Sequence, residues 1–476
     1  MLAVPPRFLE RMQAMLKDEF PAFQAIYSQP PVTGLRVNTL KIPADEFAMH
    51  AGFPLDPLFW APSGFVLMEE VPGLQPGKHP YHAAGLYYLQ DPSAMAVAGI
   101  LDPQPGEAVL DLAAAPGGKA THIASLMHDR GLLVANELHP KRVWDLAENL
   151  ERWGVHNCII TNETPQNLAD HFGAFFDRVL VDAPCSGEGM FRKSQSARND
   201  WSPSLVQSCA VRQLNILHQA ARLVKPGGLL VYTTCTFSPE ENEGVVARFL
   251  QDRLKQGEAI FESVPNQKLP FASSGRPDCL TSVERRLDPS MISAIQNTVR
   301  LWPHLGYPEG HFIALMRRVD EGAANAFKPE VSRVPRQALT DFMTFCHHHL
   351  IFEPGELRLE GGYLYQIPEG LPPLGKLRLV RPGWWLGEVK TNRFEPSHAL
   401  AMGLPDVQFH QRIEFDPDFP LLVRYFQGEV LDLRGADGWL PITVRLGNAG
   451  QTFPVGWGKR SGGRIKNYYP RGLRWV

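Results

Sequence analysis

The chain has 476 residues, 44% of them apolar and 20% charged, with a formal net charge of −3. That length exceeds one ordinary core, so two or three domains are expected. Six cysteines without a C-x-x-C pair argue against a disulfide scaffold or a thiolate zinc site. No apolar run is long enough to span a bilayer, and Met1-Leu2-Ala3-Val4-Pro5-Pro6 lacks the regions of a signal peptide, so a cytoplasmic protein is expected.

Residues 1–85 combine a helical start (Phe8-Leu9, Met12, Met15-Leu16) with short strand-like runs such as Gly34-Leu35-Arg36-Val37-Asn38, and read as a small α+β unit. Residues 86–318 alternate strand and helix patterns. Strands are predicted at Val109–Leu112, Gly131–Glu137, Cys158–Thr161, Arg178–Asp182, Leu229–Thr233 and Phe312–Met316. Helices are predicted near Lys119–Met127, Arg142–Trp153 and Leu205–Leu223, the last stopped by Lys225-Pro226-Gly227-Gly228. This alternation implies an α/β fold, a parallel sheet with helices on both faces. Residues 319–336 are polar and irregular, as a linker would be, and 337–476 form a Gly-, Pro- and Trp-rich module with short β runs at Leu421–Tyr425 and Trp439–Val444.

Two cysteines stand at strand ends: Cys185 in Asp182-Ala183-Pro184-Cys185-Ser186-Gly187, and Cys235 in Thr233-Thr234-Cys235-Thr236-Phe237-Ser238. Ligands of open α/β sheets bind just outside the carboxyl ends of strands, so both thiols could face one pocket. Cys158, Cys209, Cys279 and Cys346 read as small buried residues. The adjacent His347-His348-His349 reads as a solvated helix end, and no metal site is expected.

The first βα turn, Asp111-Leu112-Ala113-Ala114-Ala115-Pro116-Gly117-Gly118-Lys119, lets a ligand approach the backbone closely. It is not G-x-G-x-x-G and is not shaped for a pyrophosphate, which disfavours a nicotinamide dehydrogenase. Glu137, ending the next strand, is placed to accept hydrogen bonds from ribose hydroxyls. A nucleoside cofactor without phosphates is implied, and S-adenosylmethionine (SAM) is the natural candidate. A thiolate that adds to C6 of a pyrimidine activates C5 for methylation, covalent catalysis that splits one hard step in two. Asp182 could polarise the ring at N3 and its exocyclic amine. Spacing alone does not say which cysteine attacks.

The segment from Trp457 to Val476 carries Lys459, Arg460, Arg464, Lys466, Arg471 and Arg474 and no acid, so it is +6 and the remainder −9. Concentrated positive charge interleaved with Tyr468, Tyr469 and Trp475 suggests an RNA-docking surface.

On Asp111–Lys119, Asp182–Gly187, Thr234-Cys235-Thr236 and Pro239-Glu240-Glu241-Asn242-Glu243, the chain resembles the Sun-family RNA (cytosine-5) methyltransferases. The stretches Cys185–Lys193 and Gly463–Arg474 resemble the bacterial 16S rRNA branch, the RsmF type. The resemblance implies a Rossmann-like SAM-dependent methyltransferase sheet, a small α+β N-terminal domain that helps hold RNA and a β-rich PUA-like C-terminal module. It implies Cys235 as nucleophile, Cys185 assisting release, Asp182 beside the base and Lys119 with the catalytic set. The implied cofactor set is Ala113, Ala114, Ala115, Pro116, Gly117, Gly118, Lys119, Glu137, Thr164 and Asp182. Thr164 is counted back from Asp182: where the family often has an Asp near adenine, this chain has Asn162-Glu163-Thr164. Where the family more often has two aromatics, Gly310-His311-Phe312 stands here, and His311 is read as a packing residue.

The implied activity is SAM-dependent C5 methylation of cytosine in 16S rRNA, on naked rRNA or the 30S subunit, by a monomer with no obligate protein partner. The alternatives are the same chemistry on tRNA or 23S rRNA, and a non-catalytic ribosome-assembly factor that binds RNA.

Overall fold

The computed structural model describes all residues except 1–3, 69–72, 258, 267–268, 270–271, 281–288, 307–308, 330–331, 448–449 and 476. Four strands near the N terminus, β1 (Gly34–Val37), β2 (Leu55–Leu58), β3 (Ala61–Leu67) and β4 (Tyr87–Leu89), form an antiparallel sheet in the order β2-β3-β1-β4. Ahead of it, the helix Pro6–Leu16 turns Phe8, Met12, Met15 and Leu16 inward at helical spacing.

The central sheet is built on β5 (Ala108–Asp111), β6 (Leu132–Asn136), β7 (Cys158–Thr161), β8 (Phe176–Asp182) and β9 (Val224–Thr234), all parallel. Beyond β9 lie β10 (Phe261–Ser263), β11 (Ser273–Ser274), β12 (Val299–Leu301) and β13 (His311–Arg318), with β13 antiparallel to β9. The order is β11-β12-β13-β9-β8-β5-β6-β7, and β10 pairs with β13. Because β5 has β6 on one side and β8 on the other, the chain reverses direction there, and the crevice of such a sheet opens at that point.

Alternation along the strands explains why both faces are covered. In β8, Val179 and Val181 join Leu217, Val246 and Phe249 on one face, while Leu180 joins Ile123, Leu146 and Trp153 on the other. Strands buried on both faces need continuous aliphatic runs, which these have.

Further along the chain, the helix Arg336–His349 ends in exposed His347 and His348. The C-terminal region holds two sheets, one from Leu357 to Pro396 and one of five strands from Ile413 to Asn467. Leu379–Arg381 leaves them to pair antiparallel with β7, covering that edge of the central sheet. The five-stranded sheet shares a core with the N-terminal one, where Val37, Phe47 and Tyr87 meet Tyr425, Ile442 and Val455.

Leu421–Tyr425, expected as a β run, belongs to the helix Pro420–Phe426. Pro420 occupies its first turn, and Leu422, Tyr425 and Phe426 share one buried face, a periodicity of three to four in a segment too short to outweigh its β-branched and aromatic content. Of the four cysteines expected to be buried, Cys158, Cys209 and Cys346 are, while Cys279 is only half-buried.

Candidate active site

The two thiols meet because β8 and β9 are parallel neighbours, with Asp182 opposite Thr233. Cys185 lies three residues past the end of β8 and Cys235 one residue past the end of β9, so both loops leave the sheet at one level. Their sulfurs are 3.3 Å apart. The hydrogen bond with Cys235, together with burial, pushes the Cys185 thiol well up, so Cys185 holds its proton beside the Cys235 sulfur.

Beside them, Lys119 Nζ donates to Asp182 Oδ2 at 2.7 Å. Burial alone would lower the Lys119 pKa; Asp182 and its hydrogen bond raise it on balance, so the lysine stays charged. The pair is only partly open, with side-chain exposures of 12% and 31%.

Asp111, at the end of β5 in the crevice, is fully buried, and neither carboxylate oxygen meets a side-chain donor among the described residues. Burial, then the nearby Asp182, push its carboxyl up to about 8, and the Ala113 backbone offsets this only in part. The loop after it is held from outside. Ala114 N donates to Asn136 O, Arg142 donates to Ala115 O at 2.6 Å, and Asn149 donates to Pro116 O at 2.8 Å. Gly117 has φ +117°, a region that favours glycine, and leads into the helix Gly118–Leu126. From the N-terminal unit, Arg36 donates to Gly118 O and Thr121 Oγ1 at 2.9 and 2.7 Å and lies over the Trp153 ring. Glu137 is buried; one oxygen accepts from His139 N at 2.8 Å and the other lies 3.6 Å from Arg142.

These residues fit SAM. Ionising a buried carboxyl that no side chain partners calls for a cation, which the sulfonium and ammonium groups of SAM supply. Asp111, Glu137 and Asp182 around one small-residue loop would repel a pyrophosphate.

Thr164 is engaged as a helix cap, its hydroxyl accepting from Asn167 N at 3.1 Å at the start of Pro165–Phe172. Asn162 donates to the carbonyls of Glu137 and Leu138, and Glu163 is tied to Asn167 and Arg378. His311 does more than pack: its Nδ1 lies 2.8 Å from Ser93 Oγ, and burial, then Lys119, lower its pKa to about 4. Nearby, Lys193 donates to Asp91 Oδ2 at 2.6 Å, tying the loop after Cys185 to the helix Pro92–Leu101.

Sequence reasoning gave no role to Asp111, Arg36, Glu188 or Glu241. Glu188, fully buried, accepts from Phe237 N, Ser238 Oγ and Trp201 Nε1 at 2.9, 2.7 and 2.9 Å. Glu241, fully buried, accepts from Ser186 N and Gln213 Nε2 at 2.9 and 2.8 Å and from Ser186 Oγ. Burial pushes the Glu241 carboxyl up to about 7 against the lowering effect of Ser186. Both acids stand in the motifs around the two cysteines, and a signal was available: acids inside small-residue loops at strand ends. Outside this polar layer, Phe8 packs on Phe191 with centroids 4.9 Å apart, and Phe237 stacks on Trp302 at 5.0 Å, so the first helix braces both cysteine loops.

The basic C-terminal segment is ordered from Trp457 to Trp475, with Lys459, Arg464, Lys466 and Arg471 exposed. Arg460 is buried. Its aromatics face inward: Tyr469 is in the core, Tyr468 packs on Trp439 at 4.4 Å, and Trp475 stacks on Phe426 at 4.2 Å. Among the described residues no cluster of His, Cys, Asp or Glu could hold a metal, and no helix is long and apolar enough to cross a membrane.

Comparison with known proteins places the chain among methyltransferases. Residues 98–317 match the model for 16S rRNA methyltransferase RsmB/F, and residues 4–92 that for the N-terminal domain of 16S rRNA methyltransferase RsmF. Residues 344–404 match the first C-terminal domain of RsmF, and 412–475 the methyltransferase RsmF PUA domain. The ribosomal RNA small subunit methyltransferase F of Vibrio cholerae serotype O1 (strain M66-2) is 31% identical over 493 residues, covering 99% of this chain and 98% of that protein. That of Erwinia tasmaniensis is 32% identical, covering 98% and 96%. A methyltransferase homolog protein from Pyrococcus horikoshii superposes with a TM-score of 0.53 at 29% identity, over 66% of this chain and all of that one. The crystal structure of NSun6 from the same organism with SFG gives a TM-score of 0.55 at 21% identity over 67% of this chain and 99% of that one, a likeness of fold.

Proposed function

The chain belongs to the RsmB/F family of 16S rRNA methyltransferases, and from that premise we propose that it methylates C5 of a cytosine in 16S rRNA with SAM, through a covalent bond from Cys235. The observation that carries this reading is the pair of sulfurs 3.3 Å apart beside the Lys119–Asp182 ion pair.

SAM, when bound, supplies an electrophilic methyl group. Cys235 Sγ adds to C6 of the flipped base, and this makes C5 electron-rich. Asp182, oriented by Lys119, accepts from the exocyclic amine and passes the proton given up by the Cys235 thiol to N3, which neutralises the negative charge that addition builds there. Once C5 is methylated, its proton passes to solvent water, the S–C6 bond breaks with its electron pair going to the Cys235 sulfur, and the ring double bond re-forms. Cys185, which holds its proton beside the departing sulfur, assists that release. Asp111 and Glu137, with the loop Ala113–Lys119, hold the cofactor through its cationic groups and ribose; Thr164 borders the adenine end through its backbone.

The N-terminal unit and the C-terminal PUA region grip flanking RNA, offsetting the cost of unstacking the target, a few kcal/mol. The enzyme works in the cytoplasm as a monomer, on naked 16S rRNA or the 30S subunit.

Cys185→Ala is expected to give a denaturant-resistant RNA–protein adduct, and Cys235→Ala to lose turnover with no adduct. An adduct that survives Cys235→Ala would overturn the assignment of roles. Bisulfite sequencing of all stable RNAs from a deletion strain separates 16S rRNA from tRNA and 23S rRNA. Binding of rRNA without transfer of labelled methyl would leave the non-catalytic reading.

A further inference from the structure

Two buried carboxylates cross between the cysteine loops in opposite directions. Glu188 rises from the loop that carries Cys185 and accepts from Phe237 N and Ser238 Oγ, two and three residues past Cys235. Glu241 comes from the loop that carries Cys235 and accepts from Ser186 N and Ser186 Oγ, the residue after Cys185. A third strut joins the hydroxyls of Ser186 and Thr236 at 2.9 Å, and Gly189 N donates to Cys235 O at 2.8 Å. That last approach needs glycine, since a Cβ on residue 189 would lie 2.9 Å from Cys235 O.

Both carboxylates are fully buried, and neither has a salt bridge among the described residues. Burying an ionised carboxylate without a counter-ion is costly unless several hydrogen bonds compensate it, and an apolar filling would be cheaper where only packing mattered. What an apolar filling lacks is direction: each carboxylate ties a backbone N–H one or two residues past one cysteine to the loop of the other.

We propose that Glu188 and Glu241 form a reciprocal clasp that sets the separation of the Cys185 and Cys235 sulfurs, and so are positioning residues for the cysteine pair. The proposal rests on the covalent reading above. A slack clasp would leave Cys235 able to attack the base while Cys185 stands too far away to assist release.

The test uses Glu188→Gln and Glu241→Ala in the full-length protein. In Glu188→Gln either amide orientation sets an N–H against Trp201 Nε1 or Phe237 N. Two readouts are taken. The first needs no RNA or SAM. The thiol oxidant diamide, itself reduced to the hydrazine, joins Cys185 to Cys235 with loss of both thiol hydrogens, and the cross-linked peptide is followed by mass spectrometry. Because a disulfide requires sulfurs at ~2.05 Å, small displacements matter, and the cross-link is expected to form about tenfold to a hundredfold more slowly in the variants at native pH, with rates equal in denaturant. The second is the denaturant-resistant RNA adduct, expected to build up in the variants as it does in Cys185→Ala although Cys185 is intact. Folded variants that cross-link at the wild-type rate and accumulate no adduct overturn the proposal. If both variants fail to fold, Ser186→Ala, which removes one arm, decides: a slower cross-link supports the clasp and a wild-type rate overturns it. If Cys185→Ala forms no adduct while wild type cross-links readily, the covalent reading fails, and the cross-link rates alone still judge the clasp.

Discussion

At the carboxyl ends of β8 and β9, acids and a lysine are drawn inside while aromatics brace them from behind. In the segment Trp457–Trp475 the arrangement is reversed: the cations Lys459, Arg464, Lys466 and Arg471 stand in solvent, and Tyr469 and Trp475 are turned inward. Both regions are rich in charge and aromatic rings. The difference lies in what each can offer a substrate. The edge that carries Cys185 and Cys235 presents few groups in fixed geometry, as a reacting base would need, whereas the C-terminal surface presents exposed cations suited to a phosphate backbone and keeps its rings for its own core.

That contrast can be broken most sharply at the edge. Asp182→Asn or Lys119→Met is expected to lower kcat by about a hundredfold to ten-thousandfold, the range for a positioned polar group in the transition state, with RNA affinity unchanged. Single-turnover methyl transfer with a parallel filter-binding titration checks this, and a loss confined to affinity would erase the distinction between the two regions.

The next effect tests whether the tail's rings are core. Tyr469→Ala is expected to cost about 3–5 kcal/mol of stability, as truncation of a buried aromatic does. Urea denaturation measures it. A fully stable Tyr469→Ala protein that loses RNA affinity would make the ring a stacking platform instead.

Replacing Lys459, Arg464, Lys466 and Arg471 together by Ala is expected to weaken RNA binding about tenfold while leaving kcat at saturating RNA unchanged. Each phosphate that these cations no longer neutralise flattens the slope of log K against log salt by roughly 0.7–0.9. Binding isotherms over a salt series check this; an unchanged slope would mean that the tail does not face RNA.

The last effect concerns Asp111 in the protein without ligand. Its carboxyl is raised from 3.8 to about 8, so the folded state keeps a proton that the unfolded state has lost. Stability therefore falls as pH rises through that window, by at most about 1.4 kcal/mol per pH unit from this group. Asp111→Asn should remove that slope. Urea curves for both proteins at pH 5, 6, 7 and 8 give the comparison, and parallel pH trends would show that Asp111 does not titrate so.

Residues with a job done within a few positions of themselves were legible from the chain. The aliphatic runs expected to end at Leu112, Asp182 and Thr233 place the strand ends to within one residue, and Gly117-Gly118 mark a backbone that a ligand can approach. Leu421–Tyr425 misleads because a five-residue run with four apolar side chains does not distinguish a strand from a helical turn; the partners of Leu422 and Tyr425 lie in distant strands and decide it. The aromatic tail misleads for a related reason. Sequence shows that Tyr468, Tyr469 and Trp475 are present but not that Trp439, His398 and Phe426 are there to receive them.

By itself the sequence determined the α/β alternation, the small-residue loop after Asp111 and the presence of two cysteines past strand ends, because each is written in local periodicity and turn chemistry. Only the tertiary structure decided that β8 and β9 are neighbours, that the sulfurs of Cys185 and Cys235 approach to 3.3 Å and that Glu188 and Glu241 reach across between their loops. Strand order and cross-loop hydrogen bonds join residues far apart in the chain, and what selects them is the burial of both faces of the sheet, a property of the whole fold rather than of any segment.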